Sequence, residues 1–285
     1  LNYVIGLKEN IMETTKSDTT ETAIEQIREE GWCVLEGIIP ADKAVRIGEE
    51  ILDTSRRNSV KNNPKGHTSS PGFINHCQSF TPYIADPKVM EVVDSLLGKY
   101  ARISFTTALV NESKNDRGVW HSDWPFNANN VGHMIAPYPT EAIFHLTSLW
   151  FFTPFNEKNG GTLLRPRSHK LPTNPTQKGE EANSMNAYPD EIQAVGSAGS
   201  VLIMNSQLWH ARAVNSTEEA RIAVAIRFAP WWLNLDLLMP KSEERKQIAK
   251  ERNLAEKEQS NVTREVYNQL PEKVKPLYRH WVQTG

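Results

Sequence analysis

Eight consecutive residues constrain this chain more than any others: Arg221-Ile222-Ala223-Val224-Ala225-Ile226-Arg227-Phe228. Strict alternation over β-branched residues is the pattern of a strand packed on both faces. One face carries Ile222, Val224, Ile226 and Phe228. The other carries Arg221, Ala223, Ala225 and Arg227. An arginine among alanines on an inward face needs a partner, and its planar fork suits a carboxylate held bidentately. The small alanines leave room for a ligand beside it. Upstream, Val201-Leu202-Ile203-Met204 follows Gly199-Ser200 as a short buried strand and leads to Trp209-His210.

A second concentration of chemistry lies at Trp120-His121-Ser122-Asp123-Trp124. In a strand, residues two apart point to the same face, so His121 and Asp123 can reach one point. With a second histidine they make the two-His-one-carboxylate donor set that suits divalent iron and leaves coordination positions open. A lone His-x-Asp is weak evidence, and each of these residues has a bland alternative: a strand-end pair, a hydrogen-bonded core histidine, a structural ion pair.

The joint arrangement of His121-x-Asp123, His210 and then Arg221 eleven residues later resembles the phytanoyl-CoA dioxygenase family. Two more stretches resemble it: Asn159-Gly160-Gly161-Thr162 with Pro166-Arg167-Ser168-His169, and the opening Gly31-Trp32-Cys33-Val34-Leu35. The likeness spans roughly residues 22 to 232. It implies a mainly β fold with flanking helices around a double-stranded β-helix, a cupin-like jelly-roll. It implies Fe(II) on His121, Asp123 and His210, with 2-oxoglutarate and O2 as cosubstrates and Arg221 on the far carboxylate of 2-oxoglutarate. The expected reaction is hydroxylation of an unactivated C–H bond of a small to medium organic metabolite, with release of succinate and CO2. Desaturation and cyclisation use the same centre. Halogenation is disfavoured because Asp123 fills the carboxylate position. Arg167 stands where the family usually has glycine, which puts the local turn in question and a charge near the pocket mouth.

The remaining residues bound this reading. The length of 285 residues accommodates one large β domain. Expected are a helical region over about 1–100, a jelly-roll over about 101–232 and a helical region over about 233–285. A net charge near −2 points neither to nucleic acid nor to an anionic membrane surface. No apolar run approaches a membrane span, and Cys33 with Cys77 makes no disulfide framework, so the chain is read as cytoplasmic. Helices are predicted over Thr20–Glu30, from Pro40 through Leu52, and over Asp86–Tyr100, with further helices after Pro240. Strands are predicted over Trp32–Ile39, Arg102–Val110 and Phe144–Phe152. Arg56–Ile74, Trp124–Tyr138 and Leu171–Ser197 read as long loops, the first two as walls of the substrate entrance. Candidate substrate contacts are Trp124, Asn127, Arg165, Trp209, Arg227 and Trp231. Ser168-His169 reads as a loop anchor, and His67, His76, His133, His145, His169 and His280 as histidines outside the metal set. The rival reading is a non-catalytic jelly-roll that binds a metal or ligand. A Ser-His hydrolase lacks its Gly-x-Ser-x-Gly elbow.

Overall fold

The computed structural model describes residues 19–59, 65–124, 139–172, 175, 185–239, 242–252 and 261–283. Helix α1 spans Thr20–Glu30, as its capping signals require. Thr19 accepts from the Thr22 amide at the N-terminus, and Gly31 closes the helix with a left-handed φ of 92°. A side chain at Gly31 would also meet His169 Nδ1 at 2.5 Å. Strand β1 (Trp32–Leu35) is shorter than predicted. Helix α2 (Ala41–Arg57) runs past Leu52. The loop expected over Arg56–Ile74 is partly ordered structure: it contains β2 (His67–Pro71) and a 3-10 turn, Phe73–Asn75. Residues 60–64 lie outside the described residues. After α3 (Thr81–Ile84) comes α4 (Pro87–Leu97), capped by Asp86 accepting from the Lys88 amide.

The barrel strands follow. They are β3 (Arg102–Asn111), β4 (Leu146–Phe151), β5 (Leu163–Leu164), β6 (Ile192–Gln193), β7 (Val201–Asn205), β8 (His210–Ala211) and β9 (Arg221–Ala229). All pairings are antiparallel. A six-stranded sheet runs β1-β7-β4-β9-β3-β2 and a three-stranded sheet runs β6-β5-β8. Two strands of the large sheet thus come from ahead of residue 101. Helices α5 (Glu243–Arg252), α6 (Arg264–Gln269) and α7 (Lys275–Tyr278) close the chain.

The two faces of β9 separate as its alternation demands. Ile222, Val224, Ile226 and Phe228 join the large cluster packed against the helices. Ala223 and Ala225 join an inner cluster with Leu149, Phe151, Leu202, Met204 and, from the small sheet, Leu164. Side chains that interdigitate between two sheets define a sandwich interior, here that of a jelly-roll. Residues paired across strands share a face, so the register sets what else looks inward. Thr147 lies opposite Arg227 and Met204, and His210 lies opposite Leu164. Both cysteines are buried and free. No helix among the described residues is long and apolar enough to cross a membrane.

Candidate metal and cosubstrate site

His210 faces the interior because its partner Leu164 does. His121 faces the same way because it forms a bridge with His210. Two residues on, the chain is pinned again: the amides of Asp123 and Trp124 both donate to Ser206 O, at 2.7 and 2.9 Å. The ligand-type atoms of His121, Asp123 and His210 consequently all lie within 4.8 Å of one another. Among the described residues this is the one group of three or more such side chains so placed.

Both imidazoles are oriented by their own backbone. Nδ1 of His121 lies 3.0 Å from Val119 O, and Nδ1 of His210 lies 3.0 Å from Leu208 O. A carbonyl can only accept, so Nδ1 carries the proton in each ring and Nε2 keeps its lone pair for a metal. Burial, with His210 close by, pushes the His121 pKa down to about 4, so the ring is a neutral donor at neutral pH. Nε2 of His210 stands 3.6 Å from Asp123 Oδ2. Burial alone would raise the Asp123 pKa, but Arg227, His210 and His121 overcome it, assisted by the Thr147 hydroxyl. The carboxyl is held well below its usual range. Two imidazoles and one carboxylate, each with an outer partner, are a fitting donor set for Fe(II).

Arg221 supplies the second test of fit. Its side chain is buried, with Nη1 donating to Thr162 Oγ1 at 3.2 Å and the guanidinium 4.3 Å above the Phe155 ring. It makes no ion pair among the described residues, and Nε has no hydrogen-bond partner. Burial, then repulsion from Arg212, pushes its pKa down to about 9, so it remains charged at neutral pH. A buried cation without an anion is costly. Donors left over in this way fit a carboxylate brought in by a small molecule.

The other expected site residues are placed as follows. Trp124 and Trp209 are buried, 4% and 1% exposed; Trp124 lies beside His145, whereas Trp209 packs with Trp120 and Leu163 on the face of the small sheet opposite to His210. Trp231 is 51% exposed. Arg165 lies over Tyr188 and Trp209, at 4.1 and 5.0 Å, and its Nε reaches Asp190 at 3.3 Å. Arg227 gives its Nη2 to Asp123 Oδ1 at 2.6 Å. Asn127 lies outside the described residues, as does 125–138 of the loop expected over Trp124–Tyr138. Arg167 adopts the left-handed conformation, φ 65°, that glycine would hold without strain. The turn therefore persists. Its charge, expected near the pocket mouth, is paired instead with Glu30 at 2.6 Å. Ser168 anchors its loop, donating to Arg165 O and accepting from the Trp209 amide, both through Oγ.

Several residues were not singled out in the sequence. Thr147, Ser206 and Thr162 touch the site directly or through one partner. In the expected Leu171–Ser197 loop, Glu191 pairs with Arg117 at 2.7 Å and Asn186 O accepts from Trp120 Nε1 at 2.8 Å. That segment packs against the irregular stretch leading to His121. One signal was present: His145 and Thr147 are polar residues two apart inside an apolar run.

The family model for phytanoyl-CoA dioxygenase matches residues 9–223. Dioxygenase ALT11 of Alternaria alternata is 24% identical over 248 residues, covering 76% of this chain and 74% of that protein. HygX from Streptomyces hygroscopicus, with nickel, 2-oxoglutarate and hygromycin B bound, matches with a TM-score of 0.60 and 14% identity, over 74% of this chain and 88% of that one. The epimerase SnoN, in complex with Fe3+, alpha ketoglutarate and nogalamycin RO, matches with a TM-score of 0.58 and 18% identity, over 74% of this chain and 83% of that one. At such identities the two structures bear on the fold. The family match spans most of the sequence, and the chain belongs to the phytanoyl-CoA dioxygenase family of Fe(II)- and 2-oxoglutarate-dependent oxygenases.

Proposed function

We propose that His121, Asp123 and His210 hold Fe(II), that Arg221 receives the far carboxylate of 2-oxoglutarate, and that the enzyme hydroxylates a C–H bond of a small to medium organic metabolite. The observation that carries this is a buried Arg221 without an acidic partner among the described residues, on the inward face that also bears Arg227 beside the His-Asp-His group. A structural metal site has no use for that arginine. Bound iron with 2-oxoglutarate supplies a reaction in which one atom of O2 enters succinate, with loss of CO2, and the other enters the substrate as hydroxyl.

The chain's own residues set the conditions for that chemistry. Nδ1–H bonds to Val119 O and Leu208 O keep both Nε2 atoms aimed at the metal position. Asp123 stays ionised and supplies the negative charge that partly neutralises a divalent ion. Arg221 fixes the cosubstrate's orientation by a charge-assisted, two-pronged bond. Among the described residues expected at the substrate site, Trp231 is the most exposed. Hygromycin B and nogalamycin RO in the two structural neighbours favour a small-molecule substrate here as well.

The test is succinate release from 2-oxoglutarate in the presence of Fe(II), ascorbate and O2, with His210→Ala and Arg221→Ala as controls. Turnover that requires both residues supports the reading. Metal binding without any succinate from wild type, across a panel of metabolite classes, would leave the non-catalytic jelly-roll standing instead.

A further inference from the structure

Behind Asp123 lies a chain of buried polar groups whose proton directions can be assigned one after another. Asp123 Oδ2 is a carboxylate oxygen and can only accept, so in the 2.8 Å contact with Thr147 Oγ1 the threonine donates. Thr147 has then spent its one proton. The 2.8 Å contact between Thr147 Oγ1 and Ser206 Oγ must be donated by Ser206. Ser206 in turn has none left for His145, so the 2.8 Å contact there is His145 Nδ1–H donating to Ser206 Oγ. A neutral His145 with its proton on Nδ1 accepts at Nε2, and Ser104 Oγ donates to it at 2.7 Å. Four hydrogen bonds therefore point the same way, from Ser104 on β3 through His145, just ahead of β4, and Ser206 of the β7–β8 turn to Thr147 on β4 and the carboxylate. All five residues are buried, none more than 2% exposed.

The other carboxylate oxygen has a different partner. Arg227 Nη2 donates to Asp123 Oδ1 at 2.6 Å, and the guanidinium is steadied 4.5 Å over the Phe105 ring. Oδ2 also faces His210 Nε2 at 3.6 Å.

The geometry points to a carboxylate clamp: Thr147, at the head of the Ser104–His145–Ser206 donor chain, and Arg227 hold the two oxygens of Asp123 in separate bonds, so that Oδ2 alone meets a metal between His121 and His210. The clamp rests on the metal-site reading given above. It makes Thr147 and Arg227 positioning residues with different tasks. Thr147 orients the oxygen that binds. Arg227 keeps the second oxygen off the metal, which leaves adjacent positions open for a chelating cosubstrate, and its own charge opposes the incoming cation.

That division predicts opposite signs, which general structural damage would not produce. The experiment is anaerobic titration of purified protein with Co(II), followed by 2-oxoglutarate titration of the Co(II)-loaded protein, both read by calorimetry. Thr147→Val should weaken Co(II) binding roughly tenfold or more, in the range for lost outer partners of a metal ligand, and Thr147→Ser should restore it to within about threefold of wild type. Arg227→Met should bind Co(II) at least as tightly as wild type, yet lose roughly tenfold in 2-oxoglutarate affinity as the freed oxygen closes a position. Should Thr147→Val not fold, Ser206→Ala removes the donor to Thr147 and shifts Co(II) affinity in the same direction by less. Wild-type Co(II) affinity in a folded Thr147→Val, or parallel losses of both constants in both variants, overturns the clamp alone. Failure of wild type to bind Co(II), or equal binding by His210→Ala, overturns the metal-site reading and the clamp with it.

Discussion

His121 and His210 form a single antiparallel bridge, with His121 N–H donating to His210 O at 3.0 Å and His210 N–H donating back at 2.9 Å. Their rings fall on one side of it, with centroids 4.2 Å apart. The spacing of two candidate iron ligands is thus a property of the backbone, independent of either side chain.

For this reason His121→Ala and His210→Ala should lose iron while keeping the fold, as judged by elemental analysis and circular dichroism. Asp123→Ala should lose iron and stability together, because it strands Arg227. Breaking one side of a fully buried ion pair costs about 3–5 kcal/mol. The loss here should be smaller, since the Arg227 side chain is 19% exposed. Full iron stoichiometry in all three variants would refute the assignment.

Arg221→Ala should weaken 2-oxoglutarate binding by about ten- to a hundredfold, the equivalent of a charged hydrogen bond worth about 1.5–3 kcal/mol. Arg221→Lys should recover only part, lacking the planar fork. Ligand-free Arg221→Met should melt at a higher temperature than wild type, because it removes a buried charge that has no acidic partner among the described residues. Anaerobic titration and thermal denaturation check the two halves separately.

Acid should destabilise the protein before its carboxylates titrate. Burial pushes the pKa values of His67 and His280 down to about 4 and that of His145 to about 3, with Arg212, Arg102 and Arg227 respectively adding repulsion. Unfolded histidines titrate near ~6.5. The folded values are depressed, so the stability is fully present above the unfolded value. It is lost as pH falls toward the folded values, because the unfolded chain takes up protons that the native chain refuses. Urea midpoints should be level above about pH 7 and fall between roughly pH 6.5 and 4. A midpoint unchanged across that window would show these imidazoles to be charged in the native state.

Arg167→Gly and Arg167→Ala both lose the exposed pair with Glu30, but only the alanine keeps a side chain at a left-handed φ of 65°. The glycine variant should be the more stable of the two by about 1 kcal/mol. Succinate release should be unaffected in both, since the charge points to α1. Equal stabilities would mean that the turn relaxes on substitution.

How much was legible depended on whether the signal was local. Helix α1 carries its own start and stop, Thr19 and Gly31, and matches the expectation residue for residue. Strand β9 announces two faces. Strand β2 was hidden because His67-Thr68-Ser69-Ser70-Pro71 is polar and ends in proline. An edge strand can afford both, since only its partner β3 needs the ladder. The candidate donor group was visible in the spacing of residue types, whereas its supports were not. A threonine and a serine at 147 and 206 carry no mark of each other, and only the β4–β7 register brings them within 2.8 Å.

The parity of β9 has a consequence for how such an enzyme can change. Arg221 and Arg227 are six residues apart, an even number, so one strand presents both guanidiniums to the same side. Inserting or deleting a single residue between them would turn one arginine outward among Ile222, Val224 and Ile226, where the helices pack. The separation between Arg221, the proposed cosubstrate anchor, and the arginine at Asp123 is therefore adjustable only in two-residue increments of about 6.6 Å. No one-residue change in the strand keeps both arginines facing inward, whereas the loops around it tolerate insertions and deletions without any such parity.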